Sequence, residues 1–240
     1  PMKVFAHRGE SALYPENSRS AIASCDSSGM AGVEIDLYQI ENEFIVFHDR
    51  WLTRVLGIQK RTVDLTRSEL NRLLGRDAQP IPTLEWVFET HKTSGLIINL
   101  ELKEIHDIDW FLTCLKALCS RFQFKLENLL LSSFNHQYLV TIYHQAPEFK
   151  IGMILASHPI DAQTSLPPFP IYSVHLDMCC LSRTLISDYK RLGLEVYVFT
   201  VDQELEINWL LQANADGIFA NAPREASRLI NKLAYPVANS

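Results

Sequence analysis

An α/β fold, a TIM-type (β/α)8 barrel with a small insertion between strands two and three, is what the sequence predicts. Eight short apolar, β-branched-rich runs alternate with longer amphipathic stretches along the chain. The runs are almost continuously hydrophobic, the pattern of strands covered on both faces. A length of 240 residues suits one such barrel.

The strand candidates are residues 3–6, 33–37, 96–102, 129–132, 151–155, 171–175, 195–201 and 217–220. Helices are expected over 17–28, 66–74, 84–90, 107–122, 135–145, 182–191, 203–212 and 223–233. Asn17 suits an N-cap, and Pro82-Thr83 and Pro223 suit a first helical turn. Gly29, Gly75 and Gly193 stand where helices should stop. A doubly wound open sheet is the second choice, but it usually carries a Gly-rich turn after strand one, and Gly9 alone is not one. Residues 38–82 break the rhythm with a short strand (44–47), a loop and a helix. That stretch is too small for a core of its own, so residues 1–240 are expected to form one domain. The Pro-rich stretch 159–170 reads as a loop.

The net charge of −6 argues against a nucleic-acid partner, because phosphate-backbone affinity needs clustered Lys and Arg. Arg50, Arg54, Lys60, Arg61, Arg67, Arg72 and Arg76 form a locally basic stretch, read first as a solvated face and second as a rim that attracts anions. The five cysteines (25, 114, 119, 179 and 180) are odd in number and lack a CxxC, so reduced thiols and a cytoplasmic location are expected. No run of 18 apolar residues suggests a membrane span. With polar candidates already at position 7, no leader peptide is expected. The sequence does not define an oligomeric state.

Glu34 and Asp36 lie two apart on a predicted strand and therefore share a face. An isolated Glu-x-Asp is more often an exposed strand edge. Glu101 changes that balance. Residues 97–103 alternate strictly, with Asn99, Glu101 and Lys103 on one face. In a barrel this strand neighbours the one carrying Glu34 and Asp36. Three carboxylates at adjacent strand ends make an oxygen-ligand set for one divalent cation, Mg²⁺ or Ca²⁺. Lys103 fits either a phosphate oxygen or an ion pair with Glu101. His7 and Arg8 end strand one, where the planar guanidinium suits phosphate. His48 ends the 44–47 run, and two histidines flanking a phosphodiester can divide proton removal from proton donation. His175, with Asp177 beyond it, is read as structural before being read as substrate wall. Ser132 and Ser133 lack a G-x-S-x-G elbow.

These residues resemble the glycerophosphodiester phosphodiesterase family. The matching motifs are Ala-His-Arg-Gly (6–9), Pro-Glu-Asn-Ser (15–18), Glu-Ile-Asp-Leu (34–37), His-Asp (48–49), Leu-Thr-Arg (52–54), Val-Asp-Leu-Thr (63–66), Ile-Pro-Thr-Leu-Glu (81–85), Asn-Leu-Glu-Leu-Lys (99–103), Ser-Ser-Phe (132–134) and Asp-Gly-Ile (216–218). The resemblance implies a barrel that holds one divalent cation on Glu34, Asp36 and Glu101. It implies acid/base roles for His7 and His48 and phosphate binding by Arg8 and Lys103. Its reaction frees an alcohol and glycerol-3-phosphate from a small glycerophosphodiester, by water directly or through a cyclic phosphate. Phe199 stands where the family often has Trp, and Asp202 where it often has Asn, which points to altered substrate preference. A lipid-cleaving barrel of the sphingomyelinase D or lysophospholipase D kind is the second reading. Such enzymes are expected to carry disulfides and a signal sequence. An idle barrel acting as a binding protein is the third, and such relatives generally lose a ligand or a histidine.

Overall fold

The computed structural model describes residues 1–236. Its elements are β1 (Lys3–His7), α1 (Arg19–Ala23), β2 (Gly32–Ile40), β3 (Glu43–Val46), α2 (Thr53–Leu56), α3 (Arg67–Leu70), α4 (Leu84–His91), β4 (Ile97–Glu104), α5 (Ile108–Phe122), β5 (Leu129–Ser133), α6 (His136–Gln145), β6 (Lys150–Leu155), α7 (Ala162–Ser165), β7 (Ser173–Asp177), α8 (Arg183–Arg191), β8 (Glu195–Phe199), α9 (Glu204–Gln212), β9 (Gly217–Ala220) and α10 (Pro223–Ala234). Strands β1, β2 and β4–β9 pair in parallel, and the β1–β2 and β1–β9 ladders close them into an eight-stranded barrel. The expected fold is therefore the observed one.

Strand periodicity sorts the side chains. Val33, Ile35, Leu37, Ile98, Leu100, Leu102, Val196 and Val198 face outward and pack in the main core between strands and helices. The inward set differs in kind. Phe5, Leu130, Tyr197 and Phe219 form a small cluster inside the barrel. His7, Glu34, Asn99, Glu101 and Lys103 lie nearer the C-terminal strand ends, the face where (β/α)8 barrels carry their sites.

β2 is longer than the apolar run suggests. Residues 32–34 on one edge pair with β1, while residues 37–40 pair antiparallel with β3. One strand thus closes the barrel with its first half and carries a hairpin above the rim with its second. Tyr38, Ile40, Ile45, Phe47, Leu52, Leu65, Leu70 and Ile81 form a separate apolar cluster under that hairpin, which seats the insertion.

Two helices are shorter than expected. α1 starts at Arg19 because Ser18, not Asn17, caps it. Asn17 adopts φ +53° and turns its amide toward the barrel. α3 is a single turn closed by a Thr66–Glu69 capping box. The expected 159–170 loop contains the one-turn α7, capped by Asp161.

The turn after β1 depends on Gly9. It has φ +76°, and a Cβ there would meet the Ala21 carbonyl carbon at 2.5 Å. Both the left-handed backbone and the close approach of α1 exclude a side chain. Gly9→Ala should lower unfolding stability by about 1–3 kcal/mol. Urea unfolding measures this, and wild-type stability would show that the turn relaxes freely.

Candidate active site

A cleft opens at the C-terminal end of the barrel. It is lined by His7, Arg8, Glu34, His48, Asn99, Glu101, Lys103, Phe134, His175 and Phe199, among others. All of the site residues expected from the sequence lie along this cleft except Asp36, which is buried beneath it.

The carboxylates come together through strand register. Asp36 lies beside Glu101 across the β2–β4 ladder, and Glu34 lies two residues before Asp36 on the same face. One oxygen from each of Glu34, Asp36 and Glu101 falls within 4.8 Å of the others. Burial and the neighbouring Asp36 and Glu101 charges push Glu34 well above the usual carboxylate range. Burial and Asp36 push Glu101 up to about 7. For Asp36 burial acts upward too, but Lys103, His48 and Arg8 outweigh it and hold this carboxyl low.

Glu34 Oε1 and Asp36 Oδ1 are buried with no hydrogen-bond partner. Such atoms are rare and costly in proteins. An all-oxygen donor set with orphaned lone pairs fits a hard divalent cation, so the residues present suit the metal that the cluster implies. Asn17 braces the set by donating its amide to Asp36 Oδ2 at 2.9 Å.

Cationic groups surround the cluster. The Arg8 backbone N–H, at φ +60°, donates to Glu34 O and Oε2 at 2.9 and 3.1 Å. The Arg8 Nη1 donates to Glu16 Oε2 at 2.5 Å. Arg8 Nε has no hydrogen-bond acceptor, lying 3.6 Å from Asp36 Oδ2. Lys103 Nζ lies 3.2 Å from Glu101 and 3.9 Å from Asp36. Burial alone would lower the Lys103 pKa, but Glu101 and Asp36 raise it and keep the amine charged.

Both histidines are tied at Nδ1. His7 Nδ1 donates to Asn221 Oδ1 at 2.8 Å, and that oxygen also accepts from Ser11 Oγ at 3.0 Å. His48 Nδ1 donates to Asp49 Oδ1 at 2.7 Å. An oxygen that only accepts fixes the proton on Nδ1 and leaves Nε2 for the cleft. Asp49 is in turn gripped by Arg54, through Nε at 2.8 Å and Nη2 at 2.9 Å. The Arg54 contacts hold Asp49 well below the usual carboxylate range. Arg54 Nη1 also donates to Glu16.

The wall is aromatic. Phe134, just past β5, meets Phe199, at the end of β8, edge to face with centroids 6.0 Å apart. Lys103 Nζ lies 5.4 Å above the Phe134 ring. His175 sits at the floor, bonded to Ser173 Oγ at 2.9 Å, and burial lowers it to about 3. Its ring fills space that Gly152 leaves open, since a Cβ there would lie 2.6 Å from Nε2. The structural reading of His175 fits these contacts.

From the sequence, Asn17 was expected only as a helix cap and Arg54 only as part of the basic stretch, and Glu16, Asp49, Phe134 and Asn221 had no assigned role. All of these but Asn221 fall inside motifs that carry the resemblance, so their signal was present without a position in space. Asn221 lies 214 residues from His7, and only its place just after β9 hinted at it. Most of the basic stretch is paired: Lys60 with Glu69, Arg61 with Asp64 and Arg67 with Glu43.

Two cationic side chains beside a carboxylate cluster, with two oriented histidines at the mouth of a parallel barrel, fit the class of barrel phosphoric diester hydrolases. Residues 7–225 match the model of the glycerophosphoryl diester phosphodiesterase family, and the chain belongs to that family. It is 27% identical to the glycerophosphodiester phosphodiesterase of Caldanaerobacter subterraneus subsp. tengcongensis over 95% of this chain and 98% of that protein. It is 28% identical to the Bacillus altitudinis glycerophosphodiester phosphodiesterase over 95% of this chain and 97% of that one. Among solved structures, it superposes with a TM-score of 0.86 and 26% identity on an Oleispira antarctica phosphodiesterase in complex with the product sn-glycerol-3-phosphate, covering 96% of this chain and 97% of that chain.

Burial and the Arg8 charge lower the His7 pKa from its ordinary 6.5. The neutral ring is the form present above the pKa, so His7 is unprotonated at pH 7 and gains its proton only as the pH falls below 6.5. Imidazole NMR on the metal-free protein should show a His7 midpoint below 6.5 and no His175 titration between pH 8 and 5. A His7 midpoint at or above 6.5 would contradict the geometry.

Proposed function

We propose that the protein hydrolyses glycerophosphodiesters, glycerophosphocholine among them, to an alcohol and glycerol-3-phosphate. One observation carries the reading. Arg8 Nε is buried with no hydrogen-bond acceptor, 3.6 Å from Asp36 Oδ2, and Glu34 Oε1 and Asp36 Oδ1 of the same cluster are buried with no hydrogen-bond donor. A substrate phosphate and a cation complete both at once. The family relationship and the product named in the Oleispira antarctica structure support the same substrate class.

Glu34, Asp36 and Glu101 hold one divalent cation, Mg²⁺ or Ca²⁺. Bound there, it supplies positive charge that offsets the charge developing on the phosphoryl oxygens. Arg8 and Lys103 bind the same phosphate, and the transition state gains most from their fixed placement. His7 Nε2 removes a proton from the attacking water, a role suited to a ring kept neutral by burial. His48 Nε2 gives a proton to the leaving alcohol oxygen, its ring oriented by the Nδ1 hydrogen bond to Asp49. One O–H bond and one P–O bond break, and one P–O bond and one O–H bond form. Phe199 and Phe134 present the apolar face on which the glycerol backbone rests. Residues 1–240 act as one barrel unit, with residues 38–82 as its insertion. All five cysteines are free, which supports a reducing compartment, the cytoplasm. No helix among the described residues is long and apolar enough to cross a membrane.

His48→Ala should keep the native circular dichroism and lose turnover of glycerophosphocholine by roughly a hundredfold or more. Near-normal turnover would remove His48 from the chemistry. Dialysis against a chelator should abolish activity, and Mg²⁺ or Ca²⁺ should restore it. In calorimetry, Glu101→Gln should weaken binding of that metal by at least the roughly 10–100-fold typical of losing an outer-shell partner. Full activity after exhaustive chelation would remove the metal from the mechanism.

A further inference from the structure

Arg54 belongs to the basic stretch, and its side chain is about half exposed (52%). Exposed ion pairs contribute at most about 1 kcal/mol to stability. Stability is therefore a poor account of a guanidinium with this much geometry around it. Its Nε and Nη2 form a two-pronged grip on Asp49, while Nη1 reaches Glu16. Asp49 is the carboxylate that orients His48, and Glu16 is the carboxylate that holds Arg8 Nη1. The chain of contacts runs Arg8–Glu16–Arg54–Asp49–His48.

The two ends of that chain stand on different parts of the fold. Arg8 follows β1 in the closed barrel, whereas His48 follows β3 on the hairpin above the rim. Arg54 itself lies in α2, in the insertion. No direct hydrogen bond joins Arg8 to His48 among the described residues. A planar fork with donors on two edges can bridge two carboxylates at fixed angles, and an ammonium point charge cannot.

We infer that Arg54 is a positioning residue that sets the spacing between the phosphate clamp and the proton-donating histidine, acting through Glu16 on Arg8 and through Asp49 on His48. This rests on the phosphodiesterase reading above. Its two arms have separable consequences. The Glu16 arm orients the group that binds phosphate, so loosening it raises KM. The Asp49 arm orients the group that protonates the leaving oxygen, so loosening it lowers kcat only where the leaving group needs a proton.

The test compares glycerophosphocholine with the 4-nitrophenyl ester of glycerol phosphate, whose leaving group departs without an acid. Asp49→Asn should lower kcat on glycerophosphocholine by about 10–100-fold and leave kcat on the nitrophenyl ester near wild type. Glu16→Gln should raise KM on both substrates with kcat nearly intact. Arg54→Ala should show both effects. Combined with Asp49→Asn, it should add little further loss of kcat, since both act along one path. Arg54→Lys retains the charge and guards against a folding failure of the alanine variant. It should resemble Arg54→Ala in kinetics while melting like the wild type.

Equal kcat losses on the two substrates would mark Arg54 as merely structural and overturn the inference. So would recovery of wild-type kinetics by Arg54→Lys, or unchanged kinetics in Arg54→Ala. Failure of the wild-type protein to hydrolyse either ester would instead overturn the phosphodiesterase reading itself.

Discussion

Three carboxylates buried within reach of one another are the electrostatic constraint on which this site is built. Ionised together in low dielectric they repel strongly, and none of the three can reach bulk water freely. The surrounding residues answer that constraint from every side. Arg8 donates its backbone N–H to Glu34 and brings its guanidinium near Asp36. Lys103 sits between Glu101 and Asp36. Asn17 gives up the helix-capping role its position suggested and donates to Asp36 instead. Even the left-handed turn at Arg8-Gly9 follows from this constraint, because that turn aims the Arg8 amide at Glu34.

The same constraint links fold and chemistry. A closed parallel barrel brings β2 and β4 into register so that Asp36 and Glu101 lie side by side. Outward-facing residues on those strands, such as Ile35 and Leu100, pack the apolar layer beneath the helices. Alternation along one strand thus stabilises the barrel on one face and concentrates charge on the other. Polar side chains at the C-terminal strand ends are affordable only because that outer layer is so completely apolar.

Much of this was legible in the sequence, because strand alternation is local. Residues 97–103 showed which side chains share a face, and Glu34-x-Asp36 did the same. The barrel's rhythm of runs and amphipathic stretches was local too. Illegible were relationships created by closure. Asn221 reaches His7 only because β9 closes against β1. Phe134 meets Phe199 only because β5 and β8 converge at the same mouth. Arg54 looked like one solvated cation among several, and its neighbours Lys60 and Arg61 are just that, each paired on the surface. The extra length of β2 was hidden because Tyr38 and Gln39 gain their strand partners from β3, an element of the insertion.

The divided edge of β2 has a consequence for how the protein comes apart. His7 stands on a ring of eight strands in which every ladder supports its neighbours. His48 follows a four-residue strand that pairs along β2 and is held on its other edge by a single bridge, Ile45 to Thr83, above a small apolar cluster. Cooperative units of unequal stability open at unequal rates, and an edge hairpin opens before a closed ring. Fraying of the hairpin would displace His48 while the barrel, the carboxylates and His7 stay in place. On the proposed chemistry, heating would then abolish turnover before the barrel unfolds.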